Sequence, residues 1–125
     1  MTAFLHAVIQ LALDFAIPVT YGQTAAVFIT IVLLDYIIPF TGLGLACIFT
    51  KKPVTGVVSV VSFRFLCHFI SGITVWGQWA WEGWNIAAYS FCYNAIYMLP
   101  ELVLTTAGAA ILLKAPYVRK LFVSG

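Results

Sequence analysis

The sequence predicts an all-α membrane protein with four transmembrane helices, and two observations carry that prediction. Of its 125 residues, 63% are hydrophobic and 8% are charged, whereas soluble domains are about 45–50% apolar and about 25% charged. The apolar residues also form long, nearly uncharged runs, as helices in a bilayer require. Because no repeat, low-complexity segment or linker divides the chain, we interpret residues 1–125 as a single transmembrane domain.

Four apolar runs give the predicted spans, at about residues 4–19, 24–49, 54–75 and 85–114. The first run lacks the basic flank and the cleavage site of a signal peptide, so we interpret it as a span. The last run exceeds what a ~30 Å hydrocarbon core needs at ~1.5 Å per residue. We therefore expect this helix to tilt, or to bend near Pro100.

The positions of lysine and arginine predict the orientation of the spans. Lys51 and Lys52 separate the second and third spans, and Lys114, Arg119 and Lys120 follow the fourth. Both places are expected in the cytoplasm by the positive-inside rule. The TYGQT turn and the tryptophan-rich loop carry neither residue type and are expected outside. The result is a multi-pass protein of the cell membrane with both termini cytoplasmic.

Polar side chains inside the spans are informative because hydrocarbon makes them costly. Arg64 and His68 are four residues apart on one face of the third span, and Ser90 and Asn94 have the same spacing in the fourth. Asp35 lies in the second span. Two interpretations stay open: these groups pair with one another, Asp35 with Arg64 for example, or they converge on a binding site.

The fourth span also carries a polar and aromatic sector. Tyr89, Tyr93, Tyr97 and Glu101 follow a four-residue period beside Asn94, so they share one side of a helix. Arg64 and His68 fall in the outer half of the third span, and the front half of the fourth span is also outer, so we expect the two sectors at similar depth. The sequence assigns no role to Glu101, nor to Asp14 in the first span.

All four tryptophans lie in the loop between the third and fourth spans. Interfacial anchoring is the usual role of such residues. However, an aromatic loop above a carboxylate and an amide also suits a flat, cationic ligand, since aromatic faces attract cations by roughly 0.5–2 kcal/mol. Asp35 could supply the counter-charge, and Asn94 a donor and an acceptor for a heteroaromatic edge.

Motifs of catalysis are missing from the sequence, and no enzyme is predicted. Cys47, Cys67 and Cys92 have no metal-ligand spacing, so no metal is expected. His6 and His68 are expected near opposite faces, which argues against a shared haem, and no other cofactor or nucleic-acid partner is indicated. Without an ATP-binding loop, active transport would have to draw its energy from a partner.

The stretch HFISGITVWGQWAWEGWNIAAYSFCYN resembles the signature of the thiamine-specific substrate-binding (S) component of energy-coupling factor (ECF) transporters. A second stretch, LLDYIIPFTGLGLACIF, resembles the acidic-Tyr segment of that family. Identity and spacing are kept at His68, Gly72, Trp76, Gly83, Trp84, Tyr89, Ser90 and Asn94. Together the two stretches cover the chain from about the second span onwards.

The resemblance implies a six-helix fold with a vitamin site near the outer face. It implies that the vitamin binds an acidic-Tyr pair, a basic residue four positions before a histidine, a stacking tryptophan, and a tyrosine and an asparagine of the last helix. In this chain these positions are Asp35, Tyr36, Arg64, His68, Trp76, Tyr89 and Asn94. Anchoring stays open for Trp79 and Trp81, and packing beside Gly83 for Trp84.

Two substitutions depart from the family pattern. Asp35 stands where Glu is frequent, which shortens the reach by one methylene, and Arg64 stands where Lys is expected. Four spans match only the C-terminal part of a six-helix bundle, so we expect the family's first two helices to be missing here. A fragment, a misplaced start and a degenerate copy all remain open.

The function implied is high-affinity capture of thiamine in the membrane of a bacterial cell. The partners implied are thiamine, the lipid bilayer, an ECF coupling membrane protein and two cytosolic ATPases. The alternatives are an S component for a related vitamin or a thiamine precursor, and a structural membrane subunit that binds no ligand.

Overall fold

The computed structural model describes residues 2–15, 24–49 and 52–123, and within these ranges every regular element is helical. The all-α prediction is therefore confirmed for the described residues. In chain order the elements are α1 (Thr2–Phe15), α2 (Ala25–Ile31), a π turn (Val32–Ile37), α3 (Ile38–Gly42), a 3₁₀ segment (Leu43–Phe49), α4 (Pro53–Thr74), a 3₁₀ turn (Trp76–Trp79), α5 (Ile86–Leu112) and α6 (Pro116–Val123).

Three helical stretches among the described residues are long and apolar enough to cross a membrane: Ala25–Ala46, Pro53–Thr74 and Ile86–Leu112. They correspond to the second, third and fourth predicted spans. The described part of α1 has 14 residues, about 21 Å of helix against a ~30 Å hydrocarbon core. Residues 16–19 of the first predicted span lie outside the described residues, so a fourth transmembrane helix stays a prediction.

The backbone of the second span changes its winding on the way through. Thr24 begins it, with its side chain accepting a 3.4 Å hydrogen bond from the Val27 amide. The π turn then interrupts the α-helix, and it contains Asp35 and Tyr36. Such turns are wider than α-helical ones and frequently occur at functional sites. The sequence predicted a helix here but gave no sign of this interruption.

Helix α4 is the centre of the fold. It packs against α5 on one side and against α3 and the 3₁₀ segment on the other. By contrast, α5 exposes large apolar side chains along its outer face, including Ile96, Val103 and Leu104, as a helix facing lipid does. The buried residues of α4 follow helical spacing; they are Gly56, Val60, Val61, Arg64, Cys67, Ser71 and Gly72.

Helices α4 and α5 approach closely at Gly72. A Cβ atom at this position would lie 2.0 Å from the Ser90 Oγ and 2.8 Å from the Ser90 Cβ. The Ser90 hydroxyl is also held in place, since it donates a 2.8 Å hydrogen bond to the Phe69 carbonyl across the helix interface. Only glycine leaves room for this contact, which sets the distance between the two helices.

Replacing Gly72 with Ala should destabilise the protein by about 1–3 kcal/mol, because the added methyl group forces α4 and α5 apart. The matched control is Gly108→Ala in α5, where an added Cβ meets no atom within 4 Å and the higher helix propensity of alanine should stabilise the protein by about 0.5–1 kcal/mol. Thermal unfolding in detergent measures both. Equal melting temperatures for the two variants would contradict this account of the helix contact.

The tryptophan loop joins the neighbouring ends of α4 and α5. It begins with the 3₁₀ turn, passes Gly83 at φ +78°, and ends where the Asn85 side chain accepts a 2.8 Å hydrogen bond from the Ala87 amide. Trp81 lies edge-on to Trp84, with ring centroids 4.9 Å apart. Lys52 and Lys114 flank the other ends of α4 and α5, so aromatic and cationic residues lie at opposite ends of this helix pair.

Candidate ligand-binding site

A cavity of about 480 Å³ lies between the π turn, α4, α5 and the 3₁₀ turn Trp76–Trp79, called the tryptophan turn below. Pockets for small molecules are usually about 300–1,000 Å³. The structure brings all seven residues that the resemblance implied to the wall of this one cavity: Asp35, Tyr36, Arg64, His68, Trp76, Tyr89 and Asn94. Six further residues complete the wall: Phe40, Gly72, Trp79, Ser90, Tyr93 and Tyr97.

Three side chains surround the carboxylate of Asp35. Its Oδ1 lies 3.1 Å from His68 Nδ1, and its Oδ2 accepts hydrogen bonds from the Ser71 hydroxyl at 2.8 Å and the Trp76 indole N–H at 3.0 Å. In the contact with His68, an ionised carboxylate would be the acceptor. The three bonds connect the second span to α4 and to the tryptophan turn, and they orient the carboxylate.

The structure does not contain the pairing of Asp35 with Arg64 that the sequence left open. Arg64 instead forms an ion pair with Glu101 of α5, and its guanidinium carbon lies 4.8 Å from the centre of the Phe40 ring. The physical reason is position: His68, Ser71 and Trp76 occupy the carboxylate, whereas Arg64 lies further from the tryptophan loop. Arg64 is 8% exposed, whereas the Glu101 side chain is 37% exposed, so only the guanidinium is well removed from solvent.

Hydrogen bonds fix the amide of Asn94 at the face of α5 that contacts α4. Its Nδ2 donates to the Ser90 carbonyl at 2.8 Å and to the His68 carbonyl at 3.3 Å. Its Oδ1 accepts a 2.6 Å hydrogen bond from the Tyr97 hydroxyl. Because both amide hydrogens point to backbone carbonyls, the remaining capacity of this side chain is the second lone pair on Oδ1.

Aromatic rings form much of the remaining wall. Tyr89, Tyr93 and Tyr97 follow one another along α5, with ring centroids 5.7 Å and 6.1 Å apart. Tyr97 also meets the His68 ring edge-on at 6.4 Å. These contacts are within the usual range for aromatic pairs, so the tyrosines and the histidine form a continuous aromatic surface along the cavity.

Several features of the site were not predicted. Trp79 lines the cavity, although anchoring stayed open for it, and Phe40 carried no signal because it lies in an otherwise apolar run. Tyr97 could have been found from its place in the four-residue period of the fourth span. Glu101 is the partner of Arg64, while the side chain of Asp14 lies outside what the structure describes.

The site contains no evident place for a metal ion. Within residues 2–15, 24–49 and 52–123, no cluster of three or more His, Cys, Asp or Glu residues could hold one. What the arrangement offers is a fixed carboxylate, a buried guanidinium, an amide oxygen and several aromatic faces. These are groups for binding and orienting a ligand by charge, hydrogen bonding and stacking.

The comparisons with known proteins identify the family. A family model described as "Thiamine transporter protein (Thia_YuaJ)" matches residues 1–120. The chain belongs to this family. The resemblance inferred from the tryptophan stretch is thereby confirmed, and the family is one of transporter proteins.

One curated relative of this chain is "Thiamine transporter ThiT" from Bacillus subtilis (strain 168). It is 33% identical over 88 residues, and the match covers 58% of this chain and 46% of the relative. The chain therefore spans about half the length of the curated relative that it matches. No solved structure matches the chain. The absence of the family's first two helices from this sequence stays a prediction.

Proposed function

We propose that this chain binds thiamine in the cavity and serves as the substrate-capture subunit for its uptake. Membership of the thiamine transporter family supports the choice of ligand. The observation that carries the proposal is the carboxylate of Asp35, held by three hydrogen bonds at the wall of an aromatic cavity. Thiamine has a positively charged thiazolium ring, which a carboxylate can neutralise, and a neutral aminopyrimidine ring. Both rings are flat and can stack on aromatic side chains.

The thiazolium ring is best placed beside Asp35. A cation there gains the attraction of the carboxylate in a partly buried setting, where charges are screened less than in water. Trp76 and the tyrosines of α5 line the same cavity and add a favourable interaction between their ring faces and the cation. The site therefore favours a flat cation over a neutral ring of the same size.

The aminopyrimidine ring is best placed beside Asn94. Since the amide hydrogens already contact backbone carbonyls of Ser90 and His68, Asn94 is expected to accept a hydrogen bond rather than to donate one. The exocyclic amino group of the pyrimidine is a suitable donor. The Tyr97 hydroxyl, bonded to the same oxygen, keeps the amide in the orientation that this contact needs.

Orientation and partners are part of the same proposal. Lys52 and Lys114 at one end of the α4–α5 pair favour a cytoplasmic location for that end and for both termini, so the cavity beside the tryptophan loop faces outward. The sequence has no ATP-binding loop, so uptake requires an energy source elsewhere. By the resemblance to S components, this source is an ECF coupling membrane protein with two cytosolic ATPases.

Fluorescence titration of the purified protein in detergent tests the proposal. Trp76 and Trp79 line the cavity, so thiamine should change the tryptophan emission in a saturable way. The isolated aminopyrimidine half, which has no positive charge for Asp35, should need a much higher concentration. No saturable change with thiamine would reject the proposal, and a stronger response to the aminopyrimidine would favour a precursor as the ligand.

A further inference from the structure

The Arg64–Glu101 ion pair lies at the end of the cavity that is farther from the tryptophan loop. Arg64 precedes the last residue of α4, Thr74, by ten positions, which corresponds to about 15 Å along the helix. Arg64 lines the cavity, whereas Glu101 reaches it from α5 and is not among the lining residues. The guanidinium therefore lies at the end of the cavity opposite the tryptophan loop, and Glu101 contacts it without lining the cavity.

The guanidinium is only partly satisfied by its neighbours. Its Nη1 bonds to Glu101 and its carbon lies over the Phe40 ring. Its Nε is buried and has no hydrogen-bond partner among the described residues. That nitrogen is closed to the cavity, but the part of Arg64 that lines the wall carries donors only, so a ligand that reaches it is expected to offer it an oxygen.

Charge decides what kind of oxygen that is. Arg64 and Glu101 form an ion pair, so together they add little net charge beside the cavity, and the carboxylate of Asp35 remains the group in the wall that attracts a cation. An Arg64 without Glu101 would instead be a strong site for phosphate, which arginine binds through paired hydrogen bonds. The ion pair cancels much of this attraction while leaving the N–H groups able to donate.

We propose that Glu101 determines specificity: it neutralises Arg64, so that the site prefers a cationic ligand with a neutral hydroxyl end over the phosphate ester of the same ligand. This inference rests on thiamine as the proposed ligand. Glu101 acts through Arg64 and is a positioning residue. Its conservative replacement Glu101→Asp keeps the charge and should keep most of the preference.

The test compares thiamine with thiamine monophosphate in fluorescence titrations of the full chain. Glu101→Gln should lower the ratio of thiamine affinity to thiamine monophosphate affinity by about tenfold, since the unpaired guanidinium then attracts phosphate. Arg64→Met should move the ratio in the opposite direction, since Glu101 then stays charged without a partner. In the Arg64→Met background, Glu101→Gln should lower the ratio by less than it does with Arg64 in place.

The outcomes separate this inference from the proposed function. Equal loss of affinity for both ligands in Glu101→Gln, with no change in their ratio, would mean that the ion pair only holds the helices together, and would overturn the inference. Absence of thiamine binding by the unmodified protein would overturn the proposed function and the inference with it. If Glu101→Gln does not fold, the shift of the ratio in Arg64→Met decides the question.

Discussion

Replacing Asp35 with Asn should lower the affinity for thiamine by about 100-fold or more. The substitution removes the carboxylate that faces the proposed thiazolium position, and losing one partner of a buried charge pair costs about 3–5 kcal/mol. It also puts an NH₂ group where Oδ1 or Oδ2 now accepts bonds from His68, Ser71 and Trp76. Titration with thiamine measures the change as a ratio of dissociation constants.

Two further variants separate charge from local structure in this experiment. Ser71→Ala removes one donor to Asp35 and keeps the carboxylate, so its effect should be limited to about tenfold. Asp35→Glu keeps the charge on a longer side chain and should also bind far better than Asp35→Asn. Thiamine affinity of Asp35→Asn within threefold of the unmodified protein would show that the carboxylate does not neutralise the ligand.

Replacing Trp76 with Ala should weaken thiamine binding by about 1–2 kcal/mol or more, roughly 5- to 30-fold. The indole lines the cavity and bonds to Asp35, so the variant loses a stacking surface, an attraction between the ring and the cation, and one hydrogen bond to the carboxylate. Trp76→Phe keeps an aromatic ring without the N–H group, so its affinity for thiamine should lie between those of the unmodified protein and Trp76→Ala.

Trp84 offers a matched control for that result. It lies in the same loop and packs edge-on against Trp81, but it is not among the residues that line the cavity. Trp84→Ala should therefore change thiamine affinity by less than threefold. A loss as large as that of Trp76→Ala would show that the tryptophans act through the stability of the loop, and not through contact with the ligand.

Much of the fold follows from the period and length of the apolar runs. The predicted spans at 54–75 and 85–114 agree with Pro53–Thr74 and Ile86–Leu112 within the usual uncertainty of helix ends. The four-residue spacing of Arg64 and His68 also predicted correctly that they share a face of α4. Local periodicity is sufficient here, because a long apolar run has few alternatives to a helix in a membrane.

The contacts between helices could not be predicted in the same way. Arg64 and Glu101 are 37 positions apart, and whether they meet depends on the rotation and approach of α4 and α5. That approach is set by the Gly72–Ser90 contact, which no periodicity indicates. The π turn at Asp35 is likewise invisible in composition, yet it is the element that carries the acidic-Tyr pair of the site.

The helix α6 was also not predicted as a separate element. The fourth predicted span ended at residue 114, and Leu112 ends α5, but Pro116–Val123 forms a short further helix. Its sequence mixes Arg119 and Lys120 with apolar residues, so it lacks the long apolar run by which the spans were found. Short amphipathic segments of this kind give a much weaker signal than a span does.

Isothermal titration of the purified protein with thiamine, in parallel with Asp35→Asn, tests the central claim most directly. The account predicts one binding site per chain for the unmodified protein, and an affinity at least 100-fold lower for the variant while its melting temperature shows that it remains folded. Binding of equal strength in both proteins, or no binding by the unmodified protein, would contradict a cation site built around Asp35.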